Sequence, residues 1–231
     1  VNDLWSYDPL TDAWTELSPT GGPPLARMNH VAVYDPSREI MVIFGGTDYA
    51  GGTYYRDVWE LDCTTDTWTE KTSSPYHAGG VPYYGSGSSN GCAILRTAGG
   101  ASQMIVHDLA SINAYMNLTL WGDITAVTYW ELDIATWTWA ARQCTSVSID
   151  DPVTYPPASR QAAVYYEPTD KMVIFGGYGS ETVNVTWSLD FDTKVWTQKA
   201  DVPAAVEGAR AVVCDNKAIV TGTMGWTIYD I

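Results

Sequence analysis

Three histidines, four cysteines and a pair of adjacent aspartates are the residues of this 231-residue chain best suited to chemistry. His30, His77 and His107 stand far apart, and none belongs to an H-E-x-x-H zinc pattern. Cys63, Cys92, Cys144 and Cys214 lack C-x-x-C spacing, so they do not read as zinc ligands. Their even number permits two disulfides in an oxidising compartment, with three possible pairings. The other reading makes them small buried apolar groups. Asp150 and Asp151 could help hold Ca2+, although paired loop aspartates are also ordinary turn residues. No Gly-x-Ser-x-Gly elbow or P-loop occurs. The sequence assembles no catalytic set, no cofactor cradle and no metal site, so none of the three is expected.

Two sequons, at Asn117 and Asn184, are candidate glycosylation sites. Together with the even cysteine count and the scarcity of lysine, they point to an extracellular or secretory-lumen glycoprotein; the cytoplasm is the alternative. The net charge of -15 repels phosphate backbones and anionic lipid, which makes nucleic acid and membrane surfaces poor partners. No apolar run is long enough to span a bilayer as a helix. The chain opens on Val1 and not on methionine, which fits a segment removed upstream.

The elements that would position these residues recur along the chain. Trp5, Asp8 and Trp14 share their spacing with Trp59, Asp62 and Trp68, with Trp130, Asp133 and Trp139, and with Trp187, Asp190 and Trp196. Each tryptophan lies in a short β-favouring run. Between the runs lie Asp, Thr and Pro, whose side chains bond nearby amides and start turns. Each set therefore reads as a β-hairpin. A second hairpin precedes two of them, at residues 27–46 and 160–177, beginning with Arg27 or Arg160 and ending in paired glycines. Two hairpins in series make a four-stranded unit with a period of about 50 residues.

These units resemble kelch repeats: an arginine opening strand a, Gly-Gly closing strand b, and tryptophans on strands c and d. The resemblance covers essentially the whole chain and implies an all-β fold, a kelch-type β-propeller of four-stranded antiparallel blades around a central channel. Parts of five consecutive blades are visible. Residues 1–17 would be strands c and d, 26–71 one blade, 88–142 a second with an insertion at 109–128, 160–199 a third, and 210–231 strands a to c. The spaced tryptophans would pack between blades. The third unit is irregular, because Gly99-Gly100 falls in the a–b turn and His107-Asp108 stand where the glycine pair is expected. Kelch propellers usually have six or seven blades, so a single domain cut from a longer chain is expected, with a closed four-bladed ring as the alternative.

Up-and-down blades place the a–b and c–d turns at one end and the b–c and d–a loops at the other. Here the second set is long: residues 47–55, 72–87, 109–127, 143–158 and 178–184. Tyr49, Tyr54, Tyr55, Tyr76, Tyr83, Tyr84, Tyr115, Tyr155 and Tyr178 lie in it. Tyrosine among Gly and Ser gives large contact area at low entropy cost, so this end is the candidate binding face for protein or glycan. The competing reading is that these tyrosines pin down long loops. The resemblance leaves two other functions open. Galactose-oxidase-like enzymes share such blades but need two His and two Tyr on copper with a Cys–Tyr crosslink, a set not assignable here; nor is the iron-binding triad of nitrile-specifier-like kelch proteins. An intracellular kelch adaptor is the other. The expectation is a non-catalytic binding or structural module, within a larger assembly.

Overall fold

A computed structural model describes residues 2–48, 53, 55–73, 91–107, 126–146, 160–178, 182–222 and 225–230. The chain divides into two compact units, Val1–Ser74 and Pro75–Ile231. Both are built from β-strands, and the fold is the all-β, four-stranded-blade architecture of a kelch propeller.

In the first unit, β1 (Leu4–Asp8) and β2 (Ala13–Leu17) form a hairpin. The strands β3 (Val31–Asp35), β4 (Ile40–Phe44), β5 (Asp57–Asp62) and β6 (Thr67–Ser73) form one antiparallel sheet in that order. Leu4 packs on the cluster of Ile43, Leu61 and Trp68. The second unit carries β7 (Cys92–Arg96), β8 (Gln103–His107), β9 (Ala126–Asp133) and β10 (Thr138–Ser146) as one blade. The next blade is β11 (Ala162–Tyr166), β12 (Lys171–Phe175), β13 (Thr186–Asp190) and β14 (Val195–Lys199). Last come β15 (Arg210–Cys214), β16 (Lys217–Gly222) and β17 (Gly225–Asp230), paired in sequence order. The first strands converge, with β11 beside both β7 and β15.

The Trp–Asp–Trp hairpins share one local design. Asp62 Oδ1 accepts from the Thr64 amide at 2.8 Å, the Thr64 hydroxyl at 2.6 Å and the Thr65 amide at 3.1 Å. Asp8, Asp133 and Asp190 accept from equivalent amides. Each turn then closes through a left-handed residue: Asp12, Asp66, Trp137 or Lys194. The register follows. Trp14 pairs with Tyr7, while Trp68, Trp139 and Trp196 pair with Leu61, Leu132 and Leu189.

Burial of the tryptophans differs along the chain. Trp187 and Trp196 are buried in a core that takes Ile94, Ile105, Tyr129 and Cys144 from the preceding blade. Trp5 and Trp14 are exposed, at 47% and 66%. The expectation that the spaced tryptophans pack between blades therefore holds for the pair on β13 and β14 and not for the pair on β1 and β2. A strand's alternation selects a face, but only a neighbouring sheet can cover it.

Three further details depart from the sequence reading. The strand β10 runs to Ser146, and Thr145 and Ser146 pair in parallel with Val195 and Trp196, joining two blades into one eight-stranded sheet. At nine residues β10 outreaches β2, β6 and β14, the strands in its position elsewhere. Next, β9 begins at Ala126, inside the span expected as an insertion; residues 109–125 lie outside those described. Finally, His107 pairs with Cys92 as Phe44 pairs with Val31 and Phe175 with Ala162. It replaces the phenylalanine that ends strand b, one residue before the glycines, and like Phe175 it is fully buried.

Candidate interaction surface

The paired glycines answer two demands at once. Gly45 and Gly46 both have positive φ, at 71° and 95°, a region that L side chains rarely adopt. The Met28 and Thr47 backbones also exchange two 2.9 Å hydrogen bonds across this point. A Cβ on Gly46 would stand 2.7 Å from the Met28 carbonyl oxygen. In the later blade, Gly176 and Gly177 do the same with another segment. The Gly177 amide donates to Val206 O at 2.8 Å, and a Cβ on Gly176 would meet that oxygen at 2.4 Å. The loops at this end are therefore laced backbone to backbone.

Charged side chains brace the lacing. Arg27 donates to both oxygens of Asp57 at 2.7 and 2.8 Å and to Gly45 O at 2.9 Å, and its guanidinium lies 4.2 Å from the Tyr55 ring centroid. Burial alone would raise the Asp57 carboxyl; hydrogen bonds from Arg27 and Trp59 outweigh it and hold the carboxyl below its ordinary value. The His30 imidazole beside Arg27 is pushed below its ordinary value, first by partial desolvation and then by that charge.

Arg160 was paired with Arg27 by the sequence motif, but the backbone places it differently. It stands two residues before β11, as Asn29 stands before β3, and both have positive φ. Arg160 Nη1 donates to Glu207 Oε1 at 3.2 Å, and the guanidinium carbon lies 5.3 Å from the Tyr178 ring centroid. The Thr182 hydroxyl donates to the other Glu207 oxygen at 2.9 Å. Tyr178, Arg160, Thr182 and Glu207 thus form one polar-aromatic cluster at the loop end, with Tyr178 exposed.

Of the nine candidate binding tyrosines, Tyr55 and Tyr178 are described, and each has an arginine over its ring. Tyr55 is a half-buried strut tied through its amide to Gly46 O at 2.8 Å. Tyr49, Tyr54, Tyr76, Tyr83, Tyr84, Tyr115 and Tyr155 lie outside the described residues, as do His77, Asn117, Asp150 and Asp151. Asn184 is engaged in structure: its side-chain amide donates to Val202 O at 3.3 Å, and its carbonyl accepts from the Val202 amide at 2.8 Å. Thr186, the third residue of that sequon, is fully buried.

No disulfide joins Cys63, Cys92, Cys144 or Cys214 in the structure. Cys92 and Cys144 sit on the first and fourth strands of one blade. Three strand spacings, about 14 Å, separate those strands, against the roughly 7 Å limit for bridged Cα atoms. Burial pushes the Cys144 thiol up to about 12. Cys63 and Cys214 are exposed.

Sequence reasoning missed a polar network near the short turns. Arg96 donates to both oxygens of Asp170 in the next blade, at 2.8 and 2.5 Å, and to Gln103 at 2.7 Å. Gln103 donates to Glu131, which also accepts from Arg142. The Arg96 guanidinium stacks 4.7 Å from the Phe191 ring centroid. The Arg96 hydrogen bonds, against some burial, hold the Asp170 carboxyl below its usual range. Arg96 and Asp170 are 74 residues apart, and no local pattern links them. Among the described residues, no group of three or more His, Cys, Asp or Glu converges to hold a metal ion, and no helix is long and apolar enough to cross a membrane.

With this geometry in hand, the comparison with known proteins is direct. A family model for the KLHDC2/KLHL20/DRC7 Kelch-repeats domain matches residues 1–139. The chain belongs to the kelch-repeat family. It is 27% identical over 186 residues to multiple epidermal growth factor-like domains protein 8 of Homo sapiens, covering 77% of this chain and 6% of that protein. Host cell factor 1 of Homo sapiens is 26% identical over 98% of this chain, which spans 11% of that protein. Kelch-like protein 36 of Bos taurus is 24% identical over 94% of this chain, which spans 30% of that protein. The chain thus spans less than a third of each of these relatives.

Proposed function

We propose that this kelch chain binds a protein partner at the end that carries its b–c and d–a loops, and that it does so inside the cell. The observation that carries the reading is the Tyr178 cluster. An exposed tyrosine is held by the Arg160 guanidinium, which is itself fixed by Glu207, on backbone laced to Val206. A rigid aromatic presented this way loses little entropy on binding, which favours specific contact. Cysteines left unbridged fit a reducing compartment better than an oxidising one, which supports the cytoplasmic alternative over the extracellular one.

Selection from a display library of peptides tests the binding face. A selected peptide should lose affinity at least tenfold on Tyr178→Ala and keep it on Glu167→Lys, an exposed change at the opposite, short-turn end. Equal losses from both variants, or selection of glycans and no peptides, would overturn the reading. For location, thiol labelling of the native protein is the check. Cys63 and Cys214 should react at once, and Cys92 and Cys144 only on unfolding. A native chain with no reactive thiol, or with glycan on Asn184, would return it to the secretory pathway.

A further inference from the structure

In the first unit the tail of the β1–β2 hairpin is laid on the next sheet. Beyond β2, the Thr20 amide donates to Asp66 O and the Thr20 carbonyl accepts from the Trp68 amide, both at 2.9 Å. The Thr20 and Thr67 hydroxyls also meet at 3.0 Å. The pairing is parallel and lies on the outer edge of β6, the last strand of its sheet. It engages an edge amide and an edge carbonyl that the sheet itself leaves over. The second unit repeats this geometry within itself, where Thr145 pairs in parallel with Val195. Thr20 and Thr145 each follow the second tryptophan of their hairpin, Trp14 and Trp139, by six residues. Thr67 and Val195 each stand directly before the tryptophan of the strand that is joined. Ser18-Pro19-Thr20 and Gln143-Cys144-Thr145 share only their last residue, so it is the register that recurs.

From this latch in the first unit a short strap runs to the loop end. Gly21 and Gly22 turn off it with φ of 83° and 73°. Gly21 passes so close that a Cβ would stand 2.0 Å from Trp68 O. Pro23 and Pro24 follow, a pair that stays extended and cannot coil up. Pro24 is buried, and its carbonyl accepts from the Asn2 side-chain amide at 3.4 Å. The strap ends at Arg27, whose side chain is buried on Asp57 and Gly45 O. Directly after it, Met28 exchanges its two backbone bonds with Thr47. Asp57 pairs with Ser73, at the far end of β6 from Thr67. The strap therefore runs about the length of that strand, about 20 Å at about 3.3 Å per residue. The seven residue steps from Thr20 to Arg27 reach at most about 25 Å, which leaves little slack.

We propose that residues 20–27 are a taut strap that couples the outer edge of β6 to the loop end of the first unit, so that the latch at Trp68 and the lacing of Met28 to Thr47 open and close together. With the latch made, the strap holds Arg27 on Asp57 and keeps Met28 in register with Thr47. With the latch open, the freed Thr20 and the two glycines supply slack, and the arginine and the lacing lose their common anchor. Coupling of this kind is reciprocal: loosening Arg27 must weaken the latch as loosening the latch weakens the lacing. The device lies wholly within the first unit and does not depend on the Tyr178 site.

Native-state amide hydrogen exchange of the full chain in a urea series, read residue by residue by NMR, tests this. In the wild type the Thr20, Met28, Thr47 and Trp68 amides should share one opening isotherm, lying below that of the β4 amides, which report the sheet as a whole. Gly21→Ala drives a Cβ into the Trp68 carbonyl. It should lower protection at Trp68 about tenfold or more, with Met28 and Thr47 falling by a like factor. Arg27→Gln is the reverse arm: it loosens the grip on Asp57 and should lower protection at Trp68 as much as at Met28. In both variants the β4 amides should change less than these. Separate isotherms for Trp68 and Met28 in the wild type, or a merger of both with β4, would overturn the proposal. So would a variant in which one end of the strap loses protection and the other keeps it. The wild-type series decides the matter even if both variants unfold the sheet.

Discussion

Replacing Trp196 by alanine should destabilise this chain far more than replacing Trp14, although both fill the same position of the same repeat. Trp196 is fully buried, with its ring 5.1 Å from the His107 ring. A tryptophan removes about 150–250 Å² from water, worth about 4–6 kcal/mol at about 25 cal/mol per Å² as an upper bound. Its indole N–H finds no acceptor among the described residues, an omission that costs about 1–3 kcal/mol and that the substitution relieves. The cavity left behind works the other way. The net expectation for Trp196→Ala is about 3–4 kcal/mol, within the range for large-to-small aromatic changes. Trp14 is 66% exposed, so the same arithmetic on the covered third leaves at most about 1–2 kcal/mol. Urea unfolding at low protein concentration, followed by far-ultraviolet circular dichroism, reads the difference in midpoint. For a chain of this length it also appears as a fall in Tm of about 6–16 °C for Trp196→Ala, against a few degrees for Trp14→Ala. Losses equal within about 0.5 kcal/mol would refute the claim that coverage by a neighbouring blade, and not repeat position, sets the value of these tryptophans.

Two further outcomes follow from the loop lacing and the blade tie. Gly176→Ala should cost about 2–4 kcal/mol, because the new Cβ meets both a positive φ of 61° and the Val206 carbonyl at 2.4 Å. Gly99→Ala, at φ 69° with open space around it, should cost only about 1 kcal/mol; similar midpoints in urea for the two would refute the role given to close approach. The carboxyl of Asp170 is held down in the folded chain, so its stabilisation is complete above the ordinary carboxylate pKa of about 4 and fades as pH falls through the lower folded value. Arg96→Met should flatten that part of the acid-unfolding profile, and an unchanged profile would show that the blade tie carries no linkage.

The c–d hairpins were legible because an Asx turn is a local event. Asp62, Thr64 and Thr65 need only one another, and the same is true at Asp8, Asp133 and Asp190. The glycine pairs were legible as a need for positive φ, although not which backbone would press on them: Met28 in one blade and Val206 in another. The arginines misled. Arg27 and Arg160 look alike in sequence, but Arg160 stands in the register of Asn29 and braces Glu207 instead of a strand-c aspartate. His107 looked like a misplaced glycine and is a replaced phenylalanine, because alignment by motif cannot see register. The Arg96–Asp170 tie was invisible, since its partners meet only after two blades have packed.

The sequence by itself determined the strand runs, the turns between them and the face each tryptophan would take, because alternation and turn chemistry act over a few residues. The tertiary structure decided which of those faces were covered. Trp187 and Trp196 are hidden while Trp5 and Trp14 stand in water, and Cys92 and Cys144 are kept apart across a sheet. Burial and pairing depend on what lies across the gap, and that neighbour comes from distant parts of the chain.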